Sequence, residues 1–569
     1  MTVTAVRVNQ LGYPAGWPLR ATVATDASAP LGWHLRNATG ATVVAGETTV
    51  HGFDRAAGET VHTVTVPTVA GEGEGWTLVV DGVESPAFAV GAPAAGRYGG
   101  LAHDAARFLY LQRSGTPIDD PEYGRPAGHV DVAPNRGDAA VACHRPDCPR
   151  RRWLFGCRGH DLRGGWYDAG DHGKYAVTTA LTVWLLQHIE ERTRGGDPAL
   201  LDEARWGLEF LLAAQLPTGD PQAGMVFHAV HDVRWTGLPL RPEQDPEPRT
   251  VRAPSTAATY GLAAVAAQAA RVWEVHDPVF AARCTTAADR AWNAATGQPT
   301  VYATPADVTE GGGPYDDTDV RDERYWAAAE LAALTGAEEY RYAMLHSGLD
   351  PIAALREGFD WRSMLPPAQL TLALGTGWVA ASAATAARAA LATAAETLLA
   401  TIDAEGHGTP YAPPDGRYCW GSNSRVLAHA LTLGAAADHT GDRRYFAGEL
   451  ACLDYLLGRN ATGVSQVIGY GARPASRPHH RFFARAVDTA YPPPPPGVVV
   501  GGPNSGLDDP VAAAALSGAA PQRCWIDDVG SYATNEVTIG WNAALAAVAG
   551  HVAARLAPAR SLRPGAAAA

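Results

Sequence analysis

Two textures of hydrophobic spacing divide the chain. From residue 1 to about 92, apolar and polar positions alternate in short runs: AVRVNQLGY, RATVATD, HTVTVPTV, WTLVVDG and PAFAVG. Gly, Pro and Asp interrupt them at intervals of about 8–12 residues, a rhythm that predicts the short strands of a small β-sandwich. GAPAAG, residues 91–96, reads as a linker.

From residue 98 the period changes. Apolar residues recur at helical spacing in LAHDAARFLYLQ, TALTVWLLQHIEE, DEARWGLEFLLAAQL, STAATYGLAAVAAQAARVW and DERYWAAAELAALTG. The pattern returns in AARAALATAAETLLATI, SRVLAHALTLGAAADHTG, YFAGELACLDYLLGRN and VTIGWNAALAAVAGHVAARL. Abundant alanine favours helices and their close packing. Successive helical hairpins over residues 98–557 predict a mostly α domain, an α/α toroid. The loops 113–170 and 469–531 are far longer than ordinary helix connections, and such loops usually carry function. YPPPPPG, residues 491–497, is a stiff extended spacer within one of them. Residues 558–569 form an Ala-rich tail.

Composition narrows the function. Hydrophobic residues make up 46% and charged residues 18%, the balance of a globular chain, and 569 residues are enough for two domains. A formal net charge of −14 opposes nucleic acid and anionic membranes as partners and is compatible with a neutral sugar. No 18-residue apolar run occurs, and MTVTAVRVNQLGYP is not a secretory leader. The expectation is a cytoplasmic protein if the chain is full length, or a secreted one whose leader has been removed. Seven cysteines leave at least one unpaired.

The candidate chemistry begins with GGWYDAGDHGKY, residues 164–175, where Asp168 and Asp171 stand three apart among glycines. By itself this is equally an acidic surface turn or a cap for the apolar stretch that follows. Near the other end lies CWIDDVGSYATNEVTIGWNAAL, in which Glu536 follows a loop and opens a helix. A helix dipole would favour its ionised form and burial its neutral form.

The residues around Glu536 follow a pattern of Trp525, Asp527, Tyr532, Glu536, Thr538, Asn542 and Ala543. This resembles one of the two signatures of the family 9 glycoside hydrolases, the cellulase-type (α/α)6-barrel enzymes. GYGARPASRPHHRF, with Gly471, Arg473, Pro478, His479 and Arg481, resembles the other. The DAGD turn, YCWGSNS, LDYLLGRNA, GGPNSGLDDP and APSTAAT are also similar to family stretches. VRVNQLGYP resembles the immunoglobulin-like domain that precedes many of these catalytic domains. The resemblance implies an immunoglobulin-like β-sandwich over residues 1–92 and an (α/α)6-barrel catalytic domain over 98–557.

It also implies roles. Asp171 is the general base, Asp168 helps to hold the attacking water, and Glu536 is the general acid. Inverting hydrolysis places such carboxyl groups about 6.5–9.5 Å apart, with room for a water. His479 and Arg481 are expected at the sugar hydroxyls, or as ties between the 469–531 loop and the helical body. Asp527 is expected to pair with Arg481 or orient Tyr532, itself counted with the substrate-binding residues. Tyr418 and Trp525 are candidate stacking platforms, with core packing as the equal alternative. For metals, Asp322 and Glu323 in DDTDVRDERYW match a calcium-binding pair of related enzymes, and a charged first helical turn is the competing reading. The structural zinc site of some members would fall on Ser114, Cys143–His144 and Tyr167, where two of four ligands are missing. Zinc is therefore not expected there, and a Cys143–Cys148 disulfide or free thiols is the default. No organic cofactor is expected.

The implied activity is inverting hydrolysis of β-1,4-glucosidic bonds in cellulose-type glucans or cello-oligosaccharides. Short soluble oligomers are the expected better substrates. The alternatives are an exo-acting β-glucosaminidase on chitosan oligosaccharides, a non-catalytic carbohydrate-binding relative on the same scaffold, and a polysaccharide lyase on a similar toroid. The lyase would need a basic cleft and a Tyr or His base, and the intact Asp168, Asp171 and Glu536 set argues against the binding protein.

Overall fold

The computed structural model describes residues 3–142, 159–193, 195, 197–305, 308, 310–375 and 379–557. The alternating segments pair into two facing sheets. One runs in the order Val3–Arg7, Leu19–Thr25, Glu59–Val66, Thr49–Asp54. The other runs Gly12–Tyr13, Phe88–Val90, Gly73–Val80, Gly32–Arg36, Thr42–Glu47, with Val83–Glu84 beside Gly73–Val80. Their inward residues, among them Val23, Leu35, Val64, Leu78 and Val90, form a core of their own.

The linker expected at GAPAAG is instead the start of a helix, Ala92–Leu111. Pro93 occupies its first turn, where a missing N–H costs nothing, and Gly91 takes a φ of 81° at the corner. The sandwich is thus joined to the helical body without a spacer.

Six helices close into an inner ring: Ala176–Thr193, Thr256–Trp273, Arg321–Thr335, Leu365–Leu374, Ser422–Thr440 and Ile539–Leu556, the last packing back on the first. An outer helix backs each: Pro198–Ala214, Pro278–Gly297, Glu338–Leu345, Ala381–Ala404, Arg443–Leu456 and Ala92–Leu111. This is an (α/α)6 barrel. The inner helices are buried on nearly every face, and their alanines let neighbours approach closely; in Thr256–Trp273 every residue but Arg271 is buried. Among the described residues no helix is long and apolar enough to cross a membrane.

Polar contacts bind the sandwich to the barrel. Asn9 Nδ2 donates to Asp454 Oδ1 at 2.8 Å, the Gln10 N–H to the Leu457 carbonyl at 2.9 Å, and Thr22 Oγ1 to the Gly406 carbonyl at 2.8 Å. Glu59 of the sandwich accepts from Arg7 and, across the seam, from Arg523 at 2.6 Å, with His407 Nε2 at 3.2 Å.

A three-stranded sheet, Lys174–Tyr175, Val226–Asp232 and Arg249–Ser255, sits at one end of the barrel. Helical periodicity gave no sign of it. It fixes the segment that follows the DAGD turn, with Lys174 opposite Val230 and Tyr175 opposite Ala229.

Candidate active site

The DAGD turn is held from both sides. The Asp168 N–H donates to the Gly173 carbonyl, and the Asp168 carbonyl accepts from the Ile539 N–H, both at 2.9 Å. The second bond satisfies an otherwise orphaned donor of the helix Ile539–Leu556. Gly170 packs on the 479–481 segment so closely that a Cβ there would lie 2.4 Å from the His479 carbonyl oxygen. Glycine at this position is required by that approach. Below the turn, buried Arg249 bonds the His172 carbonyl at 2.9 Å and ion-pairs with Asp138 and Asp232. Buried Lys174 bonds Asp138 at 2.7 Å and the carbonyls of Leu162 and Gly164.

Three carboxyl groups meet over this turn. Asp168 accepts from Thr178 Oγ1 and from the Tyr315 hydroxyl, each at 2.5 Å. Asp171 Oδ2 accepts from the Gly173 N–H at 3.0 Å and the Tyr175 hydroxyl at 3.4 Å. Glu536 is reached by the N–H of Gly170. Burial pushes Asp168 up to about 7; the Thr178 and Tyr315 donors pull against it, and Asp171 adds to the rise. Burial, then repulsion from Asp171 and Asp168, holds Glu536 well above the usual carboxylate range. Burial and the two neighbouring carboxyl groups thus both favour the protonated form of Glu536, the form a proton donor needs.

Glu536 does not open a helix. It lies between the short helix Tyr532–Asn535 and the helix Ile539–Leu556, whose N-cap is Thr538. Its backbone pairs with His479, and its carbonyl accepts from the Gly501 N–H at 2.8 Å. The dipole of the following helix is thus taken up by Thr538 and Asp168, and burial prevails at Glu536.

Residues 98–549 match the family described as Glycosyl hydrolase family 9, and residues 1–85 match the Cellulase N-terminal ig-like domain. The chain belongs to glycosyl hydrolase family 9. Endoglucanase C of Cellulomonas fimi is 42% identical over 575 residues, covering 96% of this chain and 52% of that protein. A cellulose 1,4-beta-cellobiosidase of Acetivibrio thermocellus is 38% identical, covering 96% of this chain and 67% of that protein. The chain thus spans about half of the first and about two thirds of the second. The solved structure of a metagenome-derived glycoside hydrolase family 9 endoglucanase superposes with a TM-score of 0.83 at 30% identity, covering 96% of this chain and 98% of the other.

The remaining site candidates divide. His479 lies at the site, half-buried, its Nδ1 2.7 Å from the Val529 carbonyl and its ring edge-on to Tyr532. Arg481 is buried and turned onto protein: Nη1 donates to the Gly170 carbonyl, Nε to Thr236 Oγ1 and Nη2 to the Thr236 carbonyl. These bonds join the 469–531 loop to the DAGD turn and to Thr236. Asp527 pairs with neither Arg481 nor Tyr532; it accepts from the Ser476 and Arg477 N–H groups and from Asn535 Nδ2, and so caps the loop that leads to His479. Tyr418 is no stacking platform, being 3% exposed, donating to the Tyr411 carbonyl and accepting from Gln522. Trp525 is also packed into the barrel core.

The aromatic faces lie elsewhere. Trp420, 39% exposed, leans on Tyr532 at 5.8 Å between ring centroids. Trp361 stands edge-on to Tyr315, and Arg481 lies over the ring of exposed Trp235. Tyr315 was missed from sequence, although GGGPYDD marks it as an aromatic delivered by a glycine run. Its φ of 38° is a strained value for a bulky side chain, held by ring contact with Tyr175 and the bond to Asp168.

Asp322 and Glu323 begin the helix Arg321–Thr335 but do not sit on its surface. Asp322, Glu323 and Asp317 are all buried. Glu323 faces the carboxyls of Asp322 and Asp317 and accepts from no N–H or hydroxyl, while Asp322 Oδ2 accepts from the Met364 N–H at 2.6 Å. Burial and mutual repulsion push Asp322 up to about 6 and Glu323 well above its ordinary range. Carboxyl groups buried against one another are compatible with a hard, oxygen-loving cation between them, and they do not form a charged first turn facing water. At the other locus, buried Ser114 and Tyr167 are close neighbours, and the Tyr167 hydroxyl is 2.7 Å from His129 Nδ1. Cys143, His144, Cys148 and Cys157 lie outside the described residues. Cys284, Cys419, Cys452 and Cys524 are free thiols.

Proposed function

We propose that the chain hydrolyses β-1,4-glucosidic bonds of cellulose-type glucans and their oligosaccharides with inversion at the anomeric carbon. The observation that carries this reading is the meeting of Glu536 with Asp168 and Asp171 over one turn, the Gly170 N–H between the two aspartates touching Glu536. Glu536 protonates the leaving oxygen. Asp171 removes a proton from a water on the other face of the sugar ring, and Asp168, oriented by Thr178 and Tyr315, holds that water's second hydrogen. The base acts through water and not on the sugar, so the configuration inverts. Trp420, Tyr532, Trp361 and Trp235 supply flat surfaces for pyranose rings, and His479 supplies a polar contact. The substrate class rests on the family and on the endoglucanase and cellobiosidase named above.

Asp322 and Glu323, with Asp317, are proposed to hold a calcium ion whose role is structural. The test of the reaction is proton NMR of early product from a β-linked oligosaccharide. The α-anomer should appear first, and a β-anomer appearing first overturns the mechanism.

A further inference from the structure

Of the 45 basic residues in the chain, 44 are arginines and one is a lysine, Lys174. It stands three positions after Asp171, and its side chain is fully buried. Three acceptors surround it. Its Nζ lies 2.6 Å from the Leu162 carbonyl oxygen, 2.7 Å from Asp138 Oδ2 and 2.9 Å from the Gly164 carbonyl oxygen. An ammonium has three N–H donors, so every one is used. A guanidinium sets five donors in a plane that suits the edge of a carboxylate, a poor match for three oxygens gathered around one point. The Phe210 ring lies beside the charge, its centroid 4.9 Å from Nζ.

The place of these bonds along the chain gives them their meaning. Leu162 and Gly164 lead into Asp168, and Lys174 follows Asp171. The ammonium therefore ties together the two ends of the loop that carries both aspartates. The Asp168 N–H, donated to the Gly173 carbonyl at 2.9 Å, closes the same loop nearer its tip. Asp138 also accepts from Arg249 Nε at 2.9 Å, and Arg249 Nη1 donates to the His172 carbonyl at 2.9 Å. One buried carboxylate thus anchors two cations, and each cation grips the backbone of that loop. A buried charge pair is stable only when its remaining donors are satisfied, and here they are satisfied by the loop's own carbonyls.

We propose that Lys174 is a positioning residue for hydrolysis, its ammonium clasping the base of the 162–174 loop so that Asp168 and Asp171 are held in register with Glu536. The consequence for rate rests on the inverting hydrolysis proposed above; the clasp itself does not. Lys174→Arg keeps the charge and loses the point-like set of donors, so the base of the loop must open to admit it. A shift of about 1 Å at the aspartates is enough to lower kcat by about 100-fold.

Because the chain has a single lysine, a lysine analogue supplied to an auxotrophic host replaces this side chain alone. Three full-length proteins are compared: the parent, the chain with S-(2-aminoethyl)cysteine in place of lysine, which keeps the ammonium, and Lys174→Arg, which keeps only the charge. Steady-state kinetics on cellotetraose should give near-parent kcat for the analogue chain. Lys174→Arg should lose about 100-fold in kcat at little-changed KM. Amide hydrogen exchange should show protection lost over residues 168–173 in Lys174→Arg, while the helix Ile539–Leu556 keeps its own. In the parent, ¹⁵N-labelled lysine should give one side-chain ammonium signal in slow exchange with water. A rapidly exchanging signal overturns the clasp without any variant. Parent-like kcat or undiminished protection of residues 168–173 in folded Lys174→Arg also overturns it, as does an analogue chain as slow as Lys174→Arg. Exchange raised throughout the barrel would make Lys174 a general support of the fold and equally refute the positioning role. A parent that releases no inverted product refutes the hydrolytic reading, while the exchange and ammonium signals still decide the clasp.

Discussion

Arg481 donates through Nη1 to the carbonyl oxygen of Gly170 at 3.1 Å, and its own backbone N–H donates to the same oxygen at 3.0 Å. The peptide between Asp168 and Asp171 is therefore gripped twice by one residue of the second family signature. Arg481→Lys would keep a positive charge but lose the planar fork that also holds Thr236. Misplacing a catalytic group by about 1 Å is enough to lower kcat by about 100-fold. Arg481→Lys should reduce kcat on that scale with little change in KM. Steady-state kinetics on cellotetraose would show it. A raised KM at normal kcat would mean that Arg481 binds sugar instead.

Glu536→Gln keeps the shape of the acid and removes its proton. Hydrolysis of cellotetraose should fall by about 10²–10⁴-fold, while an aryl glycoside whose leaving group needs no protonation should lose far less. Equal losses on the two substrates would remove Glu536 from the acid role. Asp171→Asn should slow both, since water must be activated in either case.

Tyr315→Phe should move the pH profile. The Tyr315 hydroxyl stabilises the Asp168 anion, whose pKa already stands at about 7. Without that donor the pKa rises further. Asp168 must be ionised to accept from the water, so activity is lost as pH falls through its pKa. The acidic limb of kcat/KM should therefore shift to higher pH. The basic limb, set by loss of the proton from Glu536, should stay in place. An unmoved acidic limb would show that Asp168 does not govern it.

Asp168, Asp171 and Glu536, the proposed catalytic trio, stand out in the sequence because each sits in a long local motif whose residues also build its backbone environment. The helical segments from LAHDAARFLYLQ to VTIGWNAALAAVAGHVAARL were legible from their 3.6-residue period. The helix Leu365–Leu374 was not, because it is apolar on all sides and a buried inner helix carries no stripe. Pro278–Gly297 was missed because its inward face is largely alanine. Tyr315 and the Arg249–Asp138–Lys174 network were missed for another reason. Their partners are distant in sequence, and for the network it is the small sheet Lys174–Tyr175, Val226–Asp232, Arg249–Ser255 that brings Lys174 and Arg249 together. Tyr418 and Trp525 failed as platforms because an aromatic residue in a motif looks the same whether it faces sugar or core.

Calcium should stabilise the protein through Asp317, Asp322 and Glu323. At a concentration about 100 times its Kd the ion adds about 2.7 kcal/mol to the folded state. Thermal melts in chelator and in calcium should separate accordingly, and Glu323→Gln should abolish the difference. A melt insensitive to calcium, or equally sensitive to magnesium, would discard the site.

The seam between sandwich and barrel should weaken in acid. Burial works to raise Glu59, but His407 and Arg7 outweigh it and draw its pKa from 4.5 down to about 2. A carboxylate depressed in the folded state contributes its full stability above its unfolded pKa and loses it as pH falls through the folded one. The contribution of Glu59 is therefore complete above pH 4.5 and declines toward pH 2. The shift corresponds to at most about 3 kcal/mol. Glu59→Gln leaves Arg7 and Arg523 without their anion, so it should melt below the parent at neutral pH. The gap between the two proteins should close as both are taken from pH 4.5 to pH 2, because the parent then loses the same charge. Comparing two variants cancels the titration of the other carboxyl groups. A gap of constant size down to pH 2 would show that Glu59 acts through shape and not through charge.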